Sequence, residues 1–147
     1  YAAYCFVRST FFDKMDNDKK NEQLDKAQKV LDQLKNDHKN ESEVYALQGL
    51  VYQLRITDMS KGYKYSKLAG EAISVAEKLN SENPRVYYLR GINTYNTPKF
   101  FGGGAEKAKA DLAKASKMFK THKVENELLP AWGEAHNNQM LRKCDQK

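Results

Sequence analysis

The sequence is poor in residues that favour β-structure or interrupt helices. Val, Ile and Thr together make up only 15 of its 147 residues, and there are 3 prolines and 8 glycines. Ala, Leu, Lys, Glu and Gln, in contrast, account for 64 residues. Because straight side chains lose little freedom in a helix and β-branched ones lose more, this composition predicts an all-α fold and excludes a β-sandwich or a parallel α/β sheet. The length predicts a single domain over 1–147 that needs no disulfide or metal to hold its core.

Long apolar runs and cysteines are also scarce. No run approaches the roughly 20 apolar residues that cross a bilayer, so we predict no transmembrane segment in this chain. Because the chain begins at Tyr1 rather than Met, we expect a preceding segment to have been removed, which leaves the compartment undetermined.

Cys5 and Cys144 lie at opposite ends of the sequence. A disulfide needs Cα atoms within about 7 Å, so in an elongated helical stack we expect two unbridged, partly buried thiols.

Arginine is scarce in the sequence, and catalytic motifs are absent from it. The net charge is +6, but only 5 of the 25 cationic residues are Arg, and dispersed lysines favour a solvated surface over a nucleic-acid interface. The three histidines, His38, His122 and His136, lack metal-ligand spacing, and no nucleophile elbow or paired Cys motif is present. We therefore predict neither an enzyme nor a bound metal or cofactor.

Periodic apolar residues predict seven helices separated by polar turns. Asp16, Asn17 and Asp18 are expected to break the chain, Ser42 to act as an N-cap, and Pro84 and Pro130 to stand in first helical turns. The predicted helices cover residues 2–14, 22–37, 42–56, 62–80, 84–96, 104–121 and 130–144.

These helices repeat in pairs with a period near forty residues. Residues 45–52 align with residues 87–94, and each places a glycine at its fifth position. The second helix of each pair carries a small residue followed by side chains at +4 and +7 that fill the space between helices. These positions are Ala27, Leu31 and Leu34, then Ala69, Ile73 and Ala76, then Ala108, Leu112 and Ala115.

The repeat resembles the tetratricopeptide repeat family. The residues that fit its signature are Tyr45, Gly49, Tyr52, Ala69, Ile73 and Ala76 in one repeat and Tyr87, Gly91, Ala108, Leu112 and Ala115 in the next, where Thr94 replaces an aromatic residue. The resemblance implies a right-handed stack of about three and a half antiparallel helix hairpins. The dipeptide Asn83-Pro84 and segments 97–104 and 130–133 are similar to secreted or periplasmic repeat proteins of Bacteroidetes-type bacteria, which implies a periplasmic or cell-envelope location.

The resemblance also implies a concave groove lined by the first helix of each pair. Aromatic side chains beside Arg, Gln and Asn are typical of a peptide site. Our first hypothesis is therefore a non-enzymatic interaction module that holds a peptide, a partner protein or a second copy of the chain. An alternative, equally open, is that Tyr88 and Tyr95 pack against the next helix. The predicted groove residues are Tyr4, Arg8, Leu50, Gln53, Arg85, Tyr88, Ile92, Tyr95 and Asn96.

The segment Phe100–Gly104 supports a second hypothesis, a site for a small molecule or anion. Exposed amides of Gly102, Gly103 and Gly104 before a helix would attract an anion, with Lys107 nearby. The structural alternative is that the glycines only turn the chain while Phe100 and Phe101 fill the core beneath the loop. No nucleotide-binding motif continues from these glycines.

Overall fold

A computed structural model describes residues 1–12, 15–122 and 131–146, and the regular secondary structure within these ranges is helical, as predicted. A single 3-10 turn, Lys99–Phe101, lies between the fifth and sixth helices. Within the described ranges the α-helices are α1 (Ala2–Phe12), α2 (Asn17–Asp37), α3 (Ser42–Leu54), α4 (Met59–Leu79), α5 (Pro84–Asn96), α6 (Ala105–Thr121) and α7 (Glu134–Asp145).

Short acidic and amide side chains set three of the helix starts. The Asp16 carboxylate accepts a hydrogen bond from the Lys19 amide at 2.8 Å, so α2 begins earlier than predicted and Asp16 caps the helix instead of breaking it. Asp58 likewise accepts from the amides of Ser60 and Lys61 and starts α4 early. Asn83 accepts from the Arg85 amide at 3.0 Å, and α5 starts at Pro84 as predicted.

The prediction that Ser42 caps α3 is wrong, because Glu41 occupies that position. The Ser42 hydroxyl is buried and donates to the Ala76 carbonyl at 2.8 Å, while it accepts from the Asn83 side-chain amide at 3.0 Å. Ser42 therefore joins the start of α3 to the end of α4 and to the start of α5. Pro130, the predicted start of the last helix, lies outside the described residues.

The predicted pairing of helices is confirmed as packing between neighbours in the chain. The most extensive interfaces are α5 with α6, α3 with α4 and α1 with α2, and α7 packs on α6. The repeated small residues of the second helices are fully buried, and their apolar partners lie in the same core. These residues are Ala27 with Leu31, Ala69 with Ile73, and Ala108 with Leu112.

Glycine permits the closest approach within two of these pairs. A Cβ atom on Gly49 would lie 2.9 Å from Cγ1 of Ile73, and one on Gly91 would lie 2.7 Å from Cγ and Cδ2 of Leu112. Both distances are shorter than carbon atoms tolerate, so a larger residue would force the helices apart.

The odd-numbered helices run in the same direction. Near their starts, the Tyr4 ring stacks on Trp132, and Arg85 lies 3.4 Å from Glu43. Toward the opposite end, Arg55 after α3 pairs with Asp25 in the first half of α2. At this opposite end α1, α3, α5 and α7 finish, segment 55–58 joins α3 to α4, and segment 97–104 joins α5 to α6. We call it the loop end. In the described parts of the chain, no helix is long and apolar enough to cross a membrane.

Replacing Gly91 by Ala is expected to lower the free energy of unfolding by about 1–3 kcal/mol, because the new methyl group overlaps the buried Leu112 side chain. Gly62→Ala on α4 is the matched control. A Cβ atom there meets no atom within 4 Å, so higher helix propensity should stabilise the protein by roughly 0.5–1 kcal/mol. Urea denaturation followed by circular dichroism measures both, and equal effects of the two substitutions would contradict the packing argument.

Candidate functional site

Most of the predicted groove residues are covered instead of facing an open surface. Tyr88 of α5 is buried, and its hydroxyl contacts His136 of α7, two helices further along the chain. The sequence pattern predicted that these residues share the inner face of the helices, but it did not predict that other parts of the chain cover them. Leu50, Arg85, Tyr88 and Ile92 are buried, Tyr4, Gln53 and Tyr95 are half-buried, and only Arg8 and Asn96 are exposed.

Trp132 covers the start of this inner face. Its ring stacks on Tyr4 with centroids 5.7 Å apart and meets the edge of Tyr88 at 6.3 Å. Its indole Nε1–H donates to a Glu43 carboxylate oxygen at 2.7 Å, and the side chain is 6 % exposed. The chain therefore fills part of the predicted peptide groove with its own tryptophan. The groove hypothesis did not include Trp132.

Arg85 is held inside the protein by this arrangement. Its Nε–H donates to the Trp132 carbonyl at 3.1 Å, and its guanidinium lies 5.1 Å from the Trp132 ring centroid. Burial lowers the pKa of Arg85, while the charge of Glu43 opposes that change. The structure therefore places Arg85 inside the protein, where its guanidinium holds Trp132, and not on an open groove.

Tyr88 and His136 form a polar contact that the sequence did not predict. The Tyr88 hydroxyl lies 2.8 Å from His136 Nδ1, and the two rings meet edge to face. Burial raises the pKa of Tyr88 and lowers the pKa of His136, with Lys143 adding to the effect on His136. Both groups are therefore neutral at pH 7. Elsewhere in the described ranges, no group of three or more His, Cys, Asp or Glu residues is placed to hold a metal ion.

The loop of residues 97–104 places its two phenylalanines in solvent. Phe100 is 91 % exposed and Phe101 is 71 % exposed, and their rings pack only edge to face on each other at 5.2 Å. The expectation that they fill the core beneath the loop is wrong. The 3-10 turn that carries them ends at Gly102, whose positive φ of 87° turns the chain back toward α6.

The glycine amides of this loop are already used within the protein. Gly102 donates to the Lys99 carbonyl, Gly103 to the Pro98 carbonyl, and Gly104 to the Thr94 carbonyl. An anion cannot be bound by these three amides while those hydrogen bonds persist. Lys107 lies beside Gly102. Any ligand at this loop must therefore use neighbouring side chains and the first turn of α6, which has no side-chain cap.

A cavity of about 540 Å³ opens next to the loop, where α5 and α7 end and α6 begins; we call it the loop-end cavity. Tyr95 forms its aromatic wall, and Cys144 of α7 lines it. Lys109 also lines it and pairs with Asp145 at 2.6 Å, a hydrogen bond that raises the pKa of Lys109 and keeps it charged. The complete lining is Tyr95, Asn96, Thr97, Pro98, Lys99, Gly104, Ala105, Glu106, Lys109 and Cys144.

The sequence identified only part of this cavity. Tyr95 and Asn96 were assigned to a peptide groove, and Gly104 to an anion loop, whereas the fold brings them together. Cys144 is buried and not bridged to Cys5, as expected, but Cys5 is exposed and not partly buried. Lys109 and Cys144 were missed because no local motif links α6 to the end of α7.

A second depression, of about 730 Å³, lies between α4 and α5 and is shallower. Gly70 forms part of its floor, and Arg90 lies at its edge. Arg90 is held by Glu77 at 2.7 Å and by Asp111 at 3.2 Å, so its charge links three helices. This depression has no aromatic wall, which makes it the weaker candidate for a ligand site.

Trp132→Ala is expected to lower the free energy of unfolding by about 3–5 kcal/mol, because it empties a buried site and leaves Glu43 and Arg85 without their indole partner. Trp132→Phe keeps the ring but loses the donor to Glu43, for an expected loss of about 1–3 kcal/mol. Phe100→Ala removes an exposed ring and should change stability by less than about 0.5 kcal/mol. Urea denaturation measures all three, and a Trp132→Ala variant as stable as the parent would contradict this arrangement.

Comparisons with known proteins give a structural likeness. No protein-family model matches the sequence, and a comparison with curated proteins finds no match. Among solved structures, the chain is similar to the HusA haemophore from Porphyromonas gingivalis, with a TM-score of 0.86 and 25 % sequence identity. The likeness covers 98 % of this chain and 71 % of that one. The chain therefore has an all-α fold similar to that of a haemophore.

Proposed function

We propose that this protein binds a small molecule, and that the ligand is haem or a related tetrapyrrole held in the loop-end cavity. The observation that carries the proposal is the likeness to a haemophore over 98 % of this chain at 25 % identity. The proposal agrees with the second hypothesis from the sequence, a small-molecule or anion site at segment 100–104. The binding groups differ, because they are the side chains of the loop-end cavity and not the three glycine amides. A binding role without catalysis is part of the proposal.

The chemistry of the loop-end cavity suits a flat ligand that carries carboxylates. Its volume of about 540 Å³ lies within the roughly 300–1,000 Å³ typical of small-molecule sites. Tyr95 offers an aromatic surface for a ring, and Lys99 and Lys109 offer positive charge for carboxylates. Part of that charge is balanced, because Lys109 pairs with Asp145 and the Glu106 carboxylate lies in the same lining. The uncapped first turn of α6 adds favourable partial charge. Tyr and Cys side chains are among those that hold haem iron, and Tyr95 and Cys144 both line the cavity.

The first hypothesis, a module that holds a protein, a peptide or a second copy in a concave groove, remains a prediction with less support. Trp132 covers the part of the groove where Arg85 and Tyr88 were expected to meet a partner. A right-handed tetratricopeptide-like stack is compatible with the packing of successive helix pairs. A periplasmic or cell-envelope location also remains a prediction.

Titration of the purified chain with haemin, followed by absorbance in the Soret region, tests the proposal. We expect saturable binding, and we expect Tyr95→Ala to weaken it by about tenfold because a ring surface is lost. Lys109→Ala should weaken binding by about fivefold, the effect of roughly 1 kcal/mol for a partly screened ion pair. Metal-free protoporphyrin, titrated in parallel by fluorescence, shows whether the iron contributes.

Lys117→Ala is the matched control, since Lys117 is an exposed lysine of the same helix outside the cavity. It should bind haemin as the parent does. Absence of saturable haemin binding would reject the proposed ligand. Equal weakening by Lys109→Ala and Lys117→Ala would instead place the ligand outside the loop-end cavity.

A further inference from the structure

The large apolar side chains in solvent are unevenly distributed over the described residues. Besides Phe100 and Phe101, Met59 is 83 % exposed and Tyr63 is 82 % exposed. Phe11, in the last turn of α1, is also exposed. Side chains of this size are normally covered, and a cluster of uncovered ones marks a surface that contacts something apolar.

These five side chains belong to the loop end. Met59 and Tyr63 stand in the first turns of α4, next to the end of α3. Phe100 and Phe101 stand between the end of α5 and the start of α6. Because the odd-numbered helices run in the same direction, the end of α1 with Phe11 lies at this end as well. Tyr1 and Val75 are exposed too, but they lie elsewhere on the chain.

The exposed side chains stand on two connections between helices and in the last turn of α1. Phe100 and Phe101 stand on a turn fixed by backbone hydrogen bonds from Phe101 and Gly102, whereas Met59 and Tyr63 project from a different connection between helices. A folded partner would need a matching pocket for each projection. A lipid headgroup region accepts separate apolar side chains because it deforms around them.

Lysines accompany the apolar side chains in the same segments. Lys61 and Lys64 flank Tyr63, and Lys99 and Lys107 flank the two phenylalanines. Lys61 is paired with Asp58 at 3.7 Å, and Glu106 also lies in the first turn of α6, so the local charge is mixed. The chain as a whole nevertheless carries a net charge of +6. Aromatic rings beside lysines are the combination that favours the interface of an anionic bilayer.

We propose that the loop end docks on an anionic lipid surface, with Phe100 and Phe101 inserted between headgroups and the neighbouring lysines on the lipid phosphates. The interaction involves no membrane-spanning helix. It also does not require a bound ligand, so it goes beyond the proposed haem binding and can fail or succeed independently of it. Since the loop-end cavity opens at the same end, docking would place that cavity next to the membrane.

Co-sedimentation of the ligand-free chain with lipid vesicles tests the proposal. Vesicles of phosphatidylcholine alone are compared with vesicles that also contain phosphatidylglycerol. We expect the chain to sediment with the anionic vesicles, less strongly at high salt. The double variant Phe100→Ser with Phe101→Ser should partition at least about tenfold more weakly, because two apolar rings no longer leave water.

Tyr1→Ser and Val75→Ser are the matched controls, since each removes an exposed apolar side chain away from the loop end. Both should sediment as the parent does. A Phe100→Trp variant gives an independent measurement, because insertion should shift its emission to the blue and allow quenching by brominated lipid. No sedimentation of the parent with anionic vesicles would overturn the proposal. So would a double variant that sediments like the parent, because the lipid contact would then lie elsewhere on the chain.

Discussion

The close approach of paired helices at Gly49 and Gly91 is the constraint on which the architecture depends. A methyl group at either position would overlap Ile73 or Leu112, so the α3–α4 and α5–α6 pairs keep their spacing only with glycine there. Two helices packed along their length and joined by a short connection run antiparallel. The connections that follow α3 and α5 are therefore brought to one end of the molecule, where the cavity and the exposed rings lie.

The parts of the fold that could be predicted from sequence depend on local chemistry or on the repeat. Helix positions follow from apolar spacing, and the pairing follows from small residues that recur near every forty positions. The start of α2 was misplaced because Asp16, which was expected to break the chain, caps the helix instead. The start of α4 was placed too late because the cap formed by Asp58 was not recognised. Ser42 failed as a predicted cap because its hydroxyl has a long-range partner, the Ala76 carbonyl.

The site was less predictable because it is made by contacts between distant segments. Trp132 reaches Glu43 and Tyr4 across most of the sequence, and no spacing rule anticipates that contact. Arg85 was expected to face a partner, but its guanidinium instead donates a hydrogen bond to the Trp132 carbonyl inside the protein. The loop-end cavity likewise needs Cys144 at the end of α7 to meet Tyr95 at the end of α5, which requires the orientation of both helices to be known.

The contrast between Trp132 and Phe100 argues that exposure at the loop end is built into the backbone. Trp132 is buried with its indole N–H bonded, whereas Phe100 stays in water and gives up about 1.5–3 kcal/mol of burial free energy. The turn that holds Phe100 depends on positive φ at Gly102 and Gly104, and a Cβ on Gly103 would overlap Thr97. These constraints hold the turn in the conformation that leaves both rings in water. An apolar surface that covered them would recover that free energy.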